Sequence, residues 1–147
     1  MTNAYAEWYL DDAMKNLGEA FDYAVNACGL DIDLFCEMFV QSGLSNEFGK
    51  GNPKYVSGLS GTELVMETVS LIQPDFIFPE PQIEYDCSED YWCGWVTAYY
   101  QWSTGKSFKE IFSVVPASKI RAMYYPLHEA SEEKFVDMLN AVIQRNC

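Results

Sequence analysis

EDYWCGWVTAYYQWSTGKSFKEIF, residues 89–112, is the passage on which the fold class turns. Tyr91, Trp92, Trp95, Val96, Tyr99 and Trp102 recur at helical spacing and cover one wide arc, with Thr97 and Gln101 opposite. The spacing predicts a helix from about Glu89 to Ser103, ended by Gly105, because glycine accepts the left-handed conformation of a helix stop. Ser107 followed by Glu110 reads as a capping box: the hydroxyl accepts the third helical amide and the carboxylate returns to the cap. It opens a short helix to Val114, and Pro116 breaks the chain. Ser118 starts a third helix that stops near Pro126. Ser131 caps a final helix carrying Phe135, Met138, Leu139, Val142 and Ile143.

Upstream the same period recurs. Leu10, Ala13, Met14, Leu17, Ala20, Phe21, Ala24, Val25 and Cys28 mark an amphipathic helix with Asp11, Lys15, Glu19 and Asp22 on its far face and Gly29 as its stop. Asp31 or Asp33 caps a second helix running to Gly43. A glycine-punctuated stretch follows, with a short helical turn at Asn52–Pro53. Ser60 and Glu63 form another capping box, opening a helix to about Ile72 that stops before Pro74. Residues 73–88, QPDFIFPEPQIEYDCS, are acidic, proline-rich and without helical period, and read as an extended connector with one short strand at Phe76–Phe78. The expected fold is all-α: a two-lobed helical bundle of six or seven helices in one domain, lobes 1–72 and 89–147.

Charge is segregated along this plan. The formal net charge is −13: residues 1–74 hold 11 acidic and 3 basic side chains, residues 75–90 hold 6 acidic and none basic, and residues 91–147 hold 5 acidic and 6 basic. Lys106, Lys109, Lys119 and Arg121 form a basic island around Glu110. Such a body repels nucleic acid and anionic membrane and attracts basic protein surfaces, while the island locally reverses the sign. Its excess also goes beyond the roughly 2–8 charges that solubility asks of a small domain.

The aromatic share, 16%, is high and reads chiefly as core, with exposed rings such as Tyr100 as partner anchors. The start, MTNAYAEWYLDD, has no basic apolar leader, and no apolar run approaches the ~20 residues that span a bilayer. The expectation is a cytoplasmic protein whose five cysteines are reduced, mostly small core residues.

Chemistry finds little purchase. The one histidine, His128, lies in PLHEAS between helices, with no nucleophile tied to it by spacing. No paired Cys or His suits a metal, and Asp86–Asp90 lacks the alternating ligands of a calcium loop. Thr104–Ser107 resembles the end of a phosphate loop, but the earlier glycine position is Tyr100 inside a helix. No catalytic residue, cofactor or metal is therefore expected. Ser107–Tyr124 does outline a helix-turn-helix, with Lys106 and Lys109 toward a phosphate backbone and Lys119 and Arg121 looking outward. Against it, Phe112 and Pro116 occupy positions where that motif prefers alanine and glycine.

KGNPKYVSGLSGTEL (Lys50–Leu64), GWVTAYYQWSTGKSFKEIF (Gly94–Phe112) and LHEASEEKFVDML (Leu127–Leu139) resemble an uncharacterised family of small acidic bacterial proteins associated with toxin–antitoxin-type gene clusters. The resemblance spans most of the chain and implies an antitoxin-like protein whose partner is a toxin-like enzyme; it assigns no site residues. The C-terminus reads as an ordered amphipathic helix, so docking by a folded surface is expected rather than wrapping by a tail. The expected role is non-enzymatic protein interaction. The alternative is a DNA-binding regulator using residues 107–125.

Overall fold

A computed structural model describes residues 3–81 and 88–146. Among them all regular structure is helical. In order the α-helices are α1 (Leu10–Asp22), α2 (Ile32–Gln41), α3 (Leu44–Gly49), α4 (Gly61–Ile72), α5 (Glu89–Thr104), α6 (Phe108–Val114), α7 (Ala117–Arg121), α8 (Tyr124–Leu127) and α9 (Glu132–Asn146). A 3₁₀ turn (Glu7–Tyr9) precedes α1, a π-helical turn (Tyr23–Ala27) prolongs it, and another (Lys54–Gly58) follows Pro53.

The helices outnumber the six or seven expected, for two local reasons. Gly43, at φ 83°, turns the chain out of α2 and starts α3 inside the glycine-punctuated stretch. Pro126 does not stop a helix but sits in the first turn of α8, where its missing N–H has no intrahelical acceptor to lose. The expected strand at Phe76–Phe78 is absent: these residues are irregular, the Phe76 and Phe78 rings meet at 4.9 Å against the core, and Ile77 points to solvent. Residues 82–87 of the connector lie outside the described residues.

α1 is the axis of the fold. It packs most extensively on α5, and α4 crosses it as well. Both crossings depend on glycine. A Cβ on Gly94 of α5 would stand 2.3 Å from the Leu17 carbonyl oxygen, and one on Gly61 of α4 would stand 2.4 Å from that of Asn16. Backbone therefore meets backbone on two sides of α1, and Ala13, Leu17, Ala20 and Phe21 are sealed between.

One hydrophobic cluster takes in helices from both sides of the connector. Its spine is a run of phenylalanine contacts: Phe21–Phe35 at 5.9 Å, Phe35–Phe39 at 6.1 Å, and Phe39 and Phe48 against Phe108 at 5.4 and 5.8 Å. Phe108 comes from α6, the others from α1, α2 and α3. Centroid spacings of this size suit edge-to-face and offset pairs.

Polar ties complete the joint. Ser88, the cap of α5, donates from its hydroxyl to Asp22 Oδ1 at 2.6 Å and accepts the Tyr91 amide. Asn26 donates to Asp22 and to Asp90, and Asp90 accepts Arg121 Nη1 at 2.9 Å. Tyr23 donates its hydroxyl to the Pro79 carbonyl at 2.7 Å. Both expected capping boxes form reciprocally, Ser60 with Glu63 and Ser107 with Glu110.

Candidate functional site

The four residues of the basic island stand in different local settings. Lys106 lies with its Nζ 6.0 Å over the Tyr100 ring, Lys109 is exposed beside the α2–α6 groove, and Lys119 is exposed on α7. Arg121 departs from the expectation that it looks outward. Its guanidinium pairs with Asp90, which is 7% exposed, and that bond holds the guanidinium above its ordinary pKa. Burial of a carboxylate at the start of α5 demanded a cation, and Arg121 supplies it. The start of α7 is committed too, since the Ser118 amide donates to Asp33 Oδ1 at 2.9 Å on α2.

Tyr100 is likewise not an exposed anchor. It is fully buried, with its hydroxyl donating to Asn140 on α9 and its ring against Phe135. The face of α5 read as its polar side is also inside: Thr97 is 0% and Gln101 2% exposed. Gln101 Nε2 donates to the carbonyls of Gly49 and Lys106 at 3.0 and 3.1 Å. The helix turns its small residues, Cys93, Gly94 and Ala98, inward, where α1 can approach.

The consequence is that part of the aromatic arc is displaced to the rim. Tyr91, Trp95 and Tyr99, spaced four apart on α5, are all half-buried. With Trp92, and with Tyr124 and His128 from α8 and its cap, Tyr91 and Trp95 line a cavity of about 270 Å³. Tyr91 and Trp95 lie 6.1 Å apart at 27°, a shared shelf, whereas Trp92 meets Tyr124 at 82° and 5.7 Å. His128 stacks on Tyr124 at 4.3 Å, its Nδ1 2.8 Å from the Tyr124 carbonyl. Trp92 and Tyr124 thus meet edge to face, while His128 covers one face of Tyr124.

Carboxylates border these rings. Glu129 lies 3.7 Å from His128 Nε2, and Glu89 bonds the hydroxyl of Tyr125, whose ring abuts Tyr124. That bond raises the Tyr125 pKa. At the other end of the row Tyr99 donates to Glu133 at 3.3 Å, and burial, then Glu133, Glu132 and Glu7, raise its pKa. Among the described residues no lysine or arginine lines the cavity. Sequence reasoning did not place this site; its signal was the row of three rings spaced four apart, Tyr91, Trp95 and Tyr99, on a helix that also carries the small residues Gly94 and Ala98.

Two further recesses flank the core. One of about 300 Å³ lies between α2 and α6, lined by Asp33, Glu37, Lys109 and Phe112 among others. A more polar one of about 390 Å³ is walled by Ser45, Asn46, Lys50, Gln101 and Glu110. Cys36 and Cys93 are buried free thiols with raised pKa, burial being the main cause in both. Among the described residues no group of three His, Cys, Asp or Glu is placed to hold a metal, and no helix is long and apolar enough to cross a membrane.

No protein-family model, curated protein or solved structure matches the chain.

Proposed function

We propose that the protein acts without catalysis, by docking its folded acidic surface onto a protein partner that presents a basic face. The observation that carries this reading is the unneutralised charge. Among the described residues only Glu47, Glu67 and Asp90 pair with a lysine or arginine, in a chain of net charge −13. Such a field speeds encounter with a basic partner and discriminates against acidic ones. The half-buried row of Tyr91, Trp95 and Tyr99 adds the large rings that anchor interfaces. The sequence resemblance points to a toxin-like enzyme as that partner, neutralised by occlusion, and to an antitoxin-like role in a bacterial cytoplasm. Duplex binding is the lesser reading, since Lys109 and Lys119 are exposed but Arg121 is committed to Asp90.

The test is affinity capture from the native host lysate after nuclease treatment, beside a variant carrying Glu129→Lys, Glu132→Lys and Glu133→Lys. A basic protein retained in stoichiometric amount by the native chain, released by salt and lost from the variant, is the expected result. Recovery of nucleic acid, abolished by Lys109→Glu with Lys119→Glu, would overturn the reading.

A further inference from the structure

The cavity between α5 and α8 has a wall chemistry that narrows what it can hold. Its lining is five ring side chains, mostly π surface with a few polar ring atoms at their tips. A neutral polar group would exchange its water for at most a few hydroxyl, indole or imidazole partners and would gain nothing from the π faces. An aliphatic group would be accepted, but it would gain nothing from the carboxylates of Glu89 and Glu129 at the border. An organic cation gains from both: the ring quadrupoles attract it over short range, and the acids attract it over longer range. Tyr91 and Trp95, half-buried at 6.1 Å and 27°, supply ring surface that such a charge can meet.

We infer that the pocket of Tyr91, Trp92, Trp95, Tyr124 and His128 receives a lysine or arginine side chain of the protein partner, held by cation–π contact and by the flanking acids Glu89 and Glu129. This inference rests on the interaction reading above and gives it a point of specificity. The acidic surface supplies attraction to any basic face, and the pocket selects a partner that projects a basic side chain at the matching place. Trp95 is the residue that contributes most, because tryptophan has the strongest cation-binding face.

The experiment has two arms. In the first, the purified chain is titrated with N-acetyl-arginine amide, N-acetyl-lysine amide, N-acetyl-norleucine amide and tetramethylammonium, following the indole N–H resonances of Trp92 and Trp95. The basic amides are expected to shift these resonances saturably, about tenfold more tightly than norleucine amide, and Trp95→Leu is expected to abolish the shifts. Equal binding of norleucine amide overturns the inference by showing a merely apolar pocket. Tetramethylammonium far tighter than either basic amide overturns it in favour of a free small cation.

In the second arm, partner capture is compared for the native chain, Trp95→Leu, and Glu89→Gln with Glu129→Gln, each first checked for native helicity and melting. Reduced capture by both variants supports the inference. Capture lost only on reversal of Glu129, Glu132 and Glu133, with Trp95→Leu unaffected, leaves the interaction reading standing and overturns the pocket's part in it. Should Trp95→Leu fail to fold, the glutamine pair decides: reduced capture supports the pocket's role, and undiminished capture overturns it.

Discussion

Gly94 on α5 lies directly against Gly18 on α1: a Cβ on Gly94 would come within 2.8 Å of the Gly18 Cα, and one on Gly18 within 2.9 Å of the Tyr91 carbonyl oxygen. Neither neighbour is the end of a flexible side chain, so neither can swing away. Gly94→Ala must therefore push the two helices apart. Overpacking of this kind costs about 1–3 kcal/mol and sometimes more. Gly94→Ala is expected to lower the stability read from urea unfolding by that amount, and Gly58→Ala, whose Cβ would lie 3.3 Å from its nearest neighbour, to cost distinctly less. Equal effects at the two sites would show that the crossing is not close.

The Asp90–Arg121 pair predicts an asymmetry. Asp90→Ala leaves a guanidinium only partly exposed and without its partner; Arg121→Met leaves a buried carboxylate with only Asn26. Loss of one member of a buried pair costs roughly 3–5 kcal/mol, and because Arg121 is about a third exposed the expectation here is nearer 1–3 kcal/mol. The double variant Asp90→Ala with Arg121→Met should be more stable than the sum of its parts. A double-mutant cycle by chemical denaturation reads the coupling.

The capping boxes predict a local loss and a pH signature. Ser60→Ala and Ser107→Ala should each cost about 1 kcal/mol. Hydrogen bonds from Ser107 hold the Glu110 carboxyl below the ordinary carboxylate range. A folded-state pKa below the unfolded one gives stability that is present above the unfolded value and disappears as pH falls through the folded one. The difference in melting temperature between the native chain and Glu110→Gln should therefore shrink on acidification and hold near neutrality. A difference that grows in acid would reverse the assignment.

Cys36 and Cys93 should be silent to thiol reagents in the native state. Both are buried, and burial is the main cause that raises their pKa, so the reactive thiolate is scarce. Among the three cysteines of the described residues, alkylation followed by peptide mapping should label Cys28 before these two, which react only when denaturant opens the core. Early labelling of Cys93 would contradict the packing of α5 against α7.

What was legible in the sequence was what is local. Ser60 with Glu63 and Ser107 with Glu110 are three residues apart, and both boxes formed as read. The long amphipathic run from Leu10 and the all-α class followed from periodicity. What escaped depends on partners far along the chain. Gln101 reads as a surface residue until the carbonyl of Gly49 arrives from 52 positions away. Tyr100 reads as an anchor until Asn140 meets its hydroxyl. Arg121 reads as outward until Asp90 is buried beneath it. The aromatic pocket was hidden for the same reason: five rings from two helices become neighbours only because Gly94 lets α1 take the other side of α5.

The connector is fastened on both flanks to the end of the first long helix, Pro79 by the Tyr23 hydroxyl and Ser88 by Asp22. Both bonds converge on neighbouring residues, Asp22 and Tyr23, so the described segments before and after residues 82–87 are tied to one point of the fold. Expressed as separate pieces, 1–81 and 88–147 would be expected to find each other, because one hydrophobic cluster and these two bonds join them within the described residues.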